Sequence, residues 1–174
     1  MAWNPPVNWS TNEEVTSTKM SQQVYSNMLW LNEQRPRAAM AGNLTVSTGS
    51  SFAVPTGSWN DVTINVGGVY TGASNIYGTA PTAGAYMATL TTIFTTNATG
   101  KRGIVLQSTA AGGVGNVIWA EAQSEPVANT EVTALSASSL IQLTANAKVY
   151  IGIRQNSGAS MTCAVRFTMW WVAT

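Results

Sequence analysis

The chain of 174 residues contains no histidine, one cysteine and few charges: 8 Lys and Arg against 7 Asp and Glu, 9% of the residues in all. Without histidine, neither a Ser–His nor a Cys–His nucleophile pair can be built. Histidine-containing zinc sites are excluded too, and one cysteine cannot make an all-cysteine site. Cys163 stands alone, so no disulfide closes within the chain. Nucleic-acid binding is not expected, because no basic stripe is present. Lys101–Arg102 and the Arg35/Arg37 pair are isolated, and the net charge is +1. No run approaches the ~18 apolar residues of a membrane span. The opening MAWNPPVNWSTNEE lacks the basic start and apolar stretch of a secretory signal. The expectation is a chain made in a cytosol, with no membrane insertion and no cofactor.

Hydrophobic residues supply an ordinary 45%, while charge is far below the usual quarter. Thr, Ser, Asn and Gly provide the missing polarity, a composition that favours strands and turns. So little charge leaves the surface weakly protected against other surfaces and suits burial in a larger assembly.

Residues 1–10, MAWNPPVNWS, place Trp3 and Trp9 on either side of Pro5–Pro6. The prolines stiffen an extended arm. Its tryptophans either dock on a partner or fold back on the chain, since exposed Trp is costly. Thr11 and Glu14 have capping-box spacing. Met20, Val24, Met28 and Leu31 then recur at 4, 4 and 3, one helical face, as far as Pro36. A helix with so narrow a stripe must pack on its own domain, on copies of itself or on a partner.

After Pro36, short Val/Ile/Thr/aromatic runs alternate with Gly, Asn, Ser and Pro clusters, the all-β pattern. Strands are predicted at roughly 38–46, 50–54, 60–66, 85–95, 102–109, 115–123, 131–143 with an interruption, 148–155 and 160–172. The fold class is therefore all-β: a two-sheet jelly-roll sandwich over residues 37–174, preceded by an N-terminal extended arm and one α-helix over residues 1–36. The closing MTCAVRFTMWWVAT reads as a strand with Met161, Cys163, Val165, Phe167, Met169 and Trp171 on a core face. Its other face starts polar and turns apolar at Trp170 and Val172. Cys163 is expected to act as a small buried hydrophobe.

Candidate chemistry is sparse. Glu121, Glu125 and Glu131 surround one loop, where they serve as a solvated tip or, as an enzymatic alternative, as a carboxylate pair or cation site. Nothing supplies a tuned acid and base, so no catalytic or metal residue is assigned. The glycine runs at 65–72 and 112–115 lack the Gly-Lys-Ser/Thr ending of a phosphate loop. The segment SNIYGTAPTAG, 74–84, offers Tyr77 among small polar residues. That is either a sugar-binding surface or a plain loop closing the sandwich end.

Two resemblances add to this. Gly84-Ala85-Tyr86 leading to Phe94, and LIQLTANAKVYIGIRQNSG at 140–158, resemble the strand signatures of trimeric jelly rolls of the complement globular-head and tumour-necrosis-factor-like type. That resemblance implies a homotrimer. Its last strand would run down the middle of the inner sheet, Phe167, Met169 and Trp171 inward, Trp170 and Val172 against neighbouring subunits; the alternative is that a loop of the same domain covers Trp170. Arg166, on the outward face, would then need an acid partner or an edge position. The leader NWSTNEEVTSTKMSQQVYSNMLWLNEQRP is similar to leaders of small virion proteins of tailed bacteriophages. It implies a non-enzymatic virion component synthesised in the host bacterial cytoplasm, either a minor tail or tail-fibre-tip protein or a capsid decoration or head-fibre protein. Partners would be other virion proteins and a host-surface glycan or protein. The competing reading is a soluble glycan-binding jelly-roll module unconnected to a virion.

Overall fold

A computed structural model describes residues 16–29, 35–49, 51–72, 76–108, 117–125 and 132–173. The chain divides into two compact units, Met1–Arg35 and Pro36–Thr174.

In the first unit, Thr16 has extended backbone geometry and its hydroxyl accepts the Lys19 N–H at 3.3 Å. Thr16 therefore caps a helical run of α1 (Ser17–Met20), a π-helical turn (Ser21–Tyr25) and α2 (Ser26–Leu29). This corrects the continuous helix predicted from Thr11: an extended residue at 16 ends it, and the middle turn is wider than α. Thr11, Glu14 and Leu31 lie outside the described residues, as do Trp3 and Trp9. Met20, Val24 and Met28 are all exposed.

The second unit is a sandwich of two antiparallel sheets. The strands are β1 (Arg37–Val46), β2 (Asp61–Val66), β3 (Tyr77–Thr79), β4 (Gly84–Phe94), β5 (Arg102–Gln107), β6 (Ile118–Ser124), β7 (Thr133–Leu143), β8 (Lys148–Gln155) and β9 (Met161–Ala173). One sheet runs β2-β1-β9-β4-β7 and the other β3-β8-β5-β6. This is the expected jelly-roll sandwich, and β9 is the central strand of the five-stranded sheet.

The core lies between the sheets. Leu44, Tyr86, Leu90, Phe94, Phe167 and Met169 come from one side and Ile104, Leu106, Val149, Ile151 and Ile153 from the other, all with essentially no exposure. Each set follows the two-residue period, because alternate side chains of a strand share a face. Cys163 is buried, and its Sγ donates to the Leu44 carbonyl at 3.5 Å.

Three details differ from the sequence reading. Of the strand expected at 50–54, the described residues 51–54 form none: among them only Ala53 pairs, with Ile153. β7 runs without interruption. Tyr77 lies on a three-residue edge strand rather than in a loop. Gly78 makes β3 possible, since a Cβ there would stand 2.7 Å from Met169 Sδ and 2.9 Å from Phe167 Cε1. Only glycine lets this strand close over the core at that point.

Candidate functional site: the uncovered face of the five-stranded sheet

The sheet register builds this face row by row. Arg37 on β1 pairs with Trp170 on β9, Trp170 with Met87 on β4, and Met87 with Leu140 on β7. These four side chains cross the sheet in a line. Trp170 is 45% exposed, Met87 41% and Leu140 59%. Val172, also exposed, sits where β9 bulges against Ala85 and Tyr86.

The next row is Ala39, Thr168, Thr89 and Ser138. The row after it is Ala41, Arg166, Thr91 and Ser136. Small side chains make the middle of the face flat, with Arg166 rising from it. At the far end, Ala164 and Ile93 form a second apolar patch, again with Ile93 exposed. A solvated antiparallel face is ordinarily polar. This one carries an aromatic and a methionine side by side on its interior strands β9 and β4, with a leucine beside them on the edge strand β7.

Arg166 makes no ion pair among the described residues. Asp61 pairs with Ala41 on β1, and Ala41 pairs with Arg166 on β9, which puts the acid and the base in the same row two strands apart. Both line a shallow groove of about 270 Å³ together with Ala41, Gly42 and Asn60. Asp61 Oδ1 accepts the Thr63 hydroxyl at 3.3 Å.

The opposite sheet carries a different cluster. Tyr77 and Tyr150 pair across β3 and β8. Val149, Ile151 and Gly78 are buried between the sheets, so both tyrosines project from the outer surface. Their ring centroids are 5.0 Å apart at 56°, and Lys148 Nζ stands 4.4 Å from the Tyr77 centroid. Hydrogen bonding to the Tyr77 hydroxyl holds the Lys148 ammonium above its ordinary range.

The carboxylates singled out in the sequence are held apart. Glu121 accepts from the Gln123 amide, whose oxygen accepts from Arg154; Glu125 pairs with Lys101 at 2.8 Å. Glu131 lies outside the described residues. Among the described residues, no three carboxylate or thiol side chains gather where they could hold a metal ion. Among the described residues, no helix is long and apolar enough to cross a membrane.

Arg102, isolated among the cations of the sequence, is buried in the structure. It is 1% exposed, and its guanidinium donates to the carbonyls of Asn97, Thr99, Gly100 and Lys101 at 3.1, 2.9, 2.6 and 3.3 Å. Burial pulls its pKa down. The carbonyl oxygens replace the carboxylate that a buried cation ordinarily needs.

Trp170 and Val172 were legible from the phase of the last strand alone. Met87 and Leu140 were missed, although they fall out of phase with Tyr86/Ala88 and with Ile141/Leu143 in the same way. What the sequence could not supply was the register that lines them up with Trp170.

No protein-family model matches the chain, nor does any curated protein. Solved structures do resemble it. The globular domain of zebrafish complement 1qA superposes with a TM-score of 0.58 at 15% identity, over 79% of this chain and 98% of the other. The Eiger TNF of S. frugiperda superposes with a TM-score of 0.52 at 12% identity, over 81% and 94%. At this identity the likeness establishes the jelly-roll fold of these two proteins.

Proposed function

We propose that this chain is a non-enzymatic module that assembles as a homotrimer through the outward face of its five-stranded sheet. The row Trp170–Met87–Leu140 carries the reading: three large apolar side chains lie adjacent, two on interior strands and Leu140 on the edge strand β7, and all three are exposed. An apolar patch of this kind marks a surface that another surface covers. The jelly-roll likeness supports three copies around an axis.

The module belongs, on this proposal, to the surface of a tailed-phage particle, as a minor tail or tail-fibre-tip protein or a capsid decoration or head-fibre protein. Support comes from the leader's resemblance to phage virion leaders and from the low charge of the whole chain. The segment 1–36 then attaches the head to other virion proteins through Trp3, Trp9 and the Met20, Val24, Met28 and Leu31 stripe. The exposure of Met20, Val24 and Met28 fits that role.

Native mass spectrometry of the full chain tests the assembly: the expected mass is three times 18.3 kDa, and a single chain at micromolar concentration refutes it. Mass spectrometry of purified particles from the producing host tests the location. Recovery in the particles at fixed stoichiometry is expected; a chain found only in the free soluble fraction favours the soluble glycan-binding module instead.

A further inference from the structure

We propose that Tyr77, Tyr150 and Lys148 form a binding site for an acidic sugar residue of a surface glycan. The carboxylate would lie on the Lys148 ammonium and the tyrosine hydroxyls, and the sugar ring against the aromatic wall. This extends the displayed-module reading to what its other sheet meets, and the experiment below separates failure of the two.

The cluster has the three properties such a site needs. Its cation is positioned: Lys148 stands 4.4 Å from the Tyr77 centroid, so a side chain that is ordinarily mobile is already gathered against a ring. Its cation is also available. No carboxylate among the described residues pairs with Lys148; at the opposite edge of the sheet, Glu125 is taken by Lys101 and Glu121 is bonded to Gln123. Finally, its donors converge. An ammonium and two phenols present several hydrogen-bond donors to one carboxylate, beside two rings whose 56° angle makes a shallow wall.

Access is equally open. β3 is the edge of the four-stranded sheet, and the cluster lies on the opposite sheet from Trp170. A neutral sugar could use the rings but would leave the ammonium without a counter-charge, so the chemistry selects a uronic-type acid. The same surface recurs once per copy, and a homotrimer would present three such sites to one glycan, raising avidity over a single weak contact.

Binding of the full chain to a galacturonic acid hexamer and to its methyl ester, measured by calorimetry, tests the site. The acid form is expected to bind at least about tenfold more tightly than the ester, the effect of one charge-assisted contact. Lys148→Gln, at an exposed position, should remove that difference while leaving the thermal midpoint unchanged. Tyr150→Ala should weaken binding of both forms. Equal affinity for acid and ester, no binding of the acid form, or a Lys148→Gln chain that binds as the unchanged protein does overturns the proposal. Native mass spectra of the same samples keep the readings apart. A monomer that discriminates acid from ester refutes the assembly and not the site, and a trimer indifferent to the hexamer does the reverse.

Discussion

Replacing Trp170 by glutamate is the most direct challenge to the assembly. Tryptophan presents on the order of 250 Å² when fully exposed, and Trp170 retains 45% of its exposure in the isolated chain. About 110 Å² thus remains to be covered, worth about 2.8 kcal/mol per site at 25 cal/mol per Å². A threefold assembly repeats that contact three times, so the loss amounts to about 8 kcal/mol, or between five and six orders of magnitude in the trimerisation constant at about 1.4 kcal/mol per tenfold. Glutamate adds the cost of placing a charge in a dry contact, so a trimer stable at nanomolar concentration should become a monomer at micromolar concentration. Sedimentation velocity across a concentration series reads this. The folded monomer should survive, because Trp170 points away from the core while Met169 and Trp171 fill it. A Trp170→Glu chain that remains trimeric with unchanged concentration dependence refutes the reasoning.

Burial pushes the Cys163 thiol up to about 12 from 9.0. The folded chain thus keeps a proton that the unfolded chain sheds above pH 9, and stability falls as pH rises across that window, by about 1.4 kcal/mol per unit. Urea melts at pH 8, 9 and 10 should show the decline begin above 9 and shrink in Cys163→Ala; an identical decline in that variant contradicts it. Arg102→Leu strips four carbonyls of a charged donor and should cost roughly 3 kcal/mol or more, read as a lower urea midpoint at unchanged slope. A cost below about 0.5 kcal/mol would show that water replaces the guanidinium. Gly78→Ala presses a methyl on Phe167 and Met169 and should cost roughly 1–3 kcal/mol, with Met169→Ala in the same chain recovering part of it.

The sandwich was legible because burial follows phase. In MTCAVRFTMWWVA every second residue is apolar until Trp170 breaks the pattern, and the structure buries the first set and exposes the second. The central place of β9 came from the resemblance, since phase fixes a face and not a neighbour. β3 was illegible because three residues centred on a glycine carry no period. Its existence depends on Phe167 and Met169, some ninety residues away. For the same reason the Tyr77–Tyr150 pair could not be foreseen, although Lys148 and Tyr150 sit visibly out of phase with Val149 and Ile151. In the helix, the described run begins after Thr16, whose extended backbone and hydroxyl bond to the Lys19 N–H mark its cap. The burial of Arg102 was not legible because the carbonyls that hold it belong to a loop whose curvature no composition rule encodes.

Arg166 decides how the assembled face must close. It rises from a field of alanine, threonine and serine with no ion pair of its own among the described residues, so covering this face without an acid would strand a charge at a cost of several kcal/mol. Asp61 is the carboxylate in its row, and its position near the sheet edge, one strand outside Ala41, lets it reach Arg166 of an adjoining copy or be drawn toward it as water leaves. Either route couples the two residues only in the assembled state. Arg166→Ala and Asp61→Ala should each weaken trimerisation, and the double variant should weaken it by less than the sum, with a coupling of roughly 1–3 kcal/mol. The coupling should be absent from the unfolding of the monomer, for which Trp170→Glu provides the background. Added salt should weaken the unchanged trimer more than the double variant. Strict additivity of the two substitutions in the association constant would mean that Arg166 remains in solvent, and the covered area must then stop short of the Ala41–Arg166–Thr91 row.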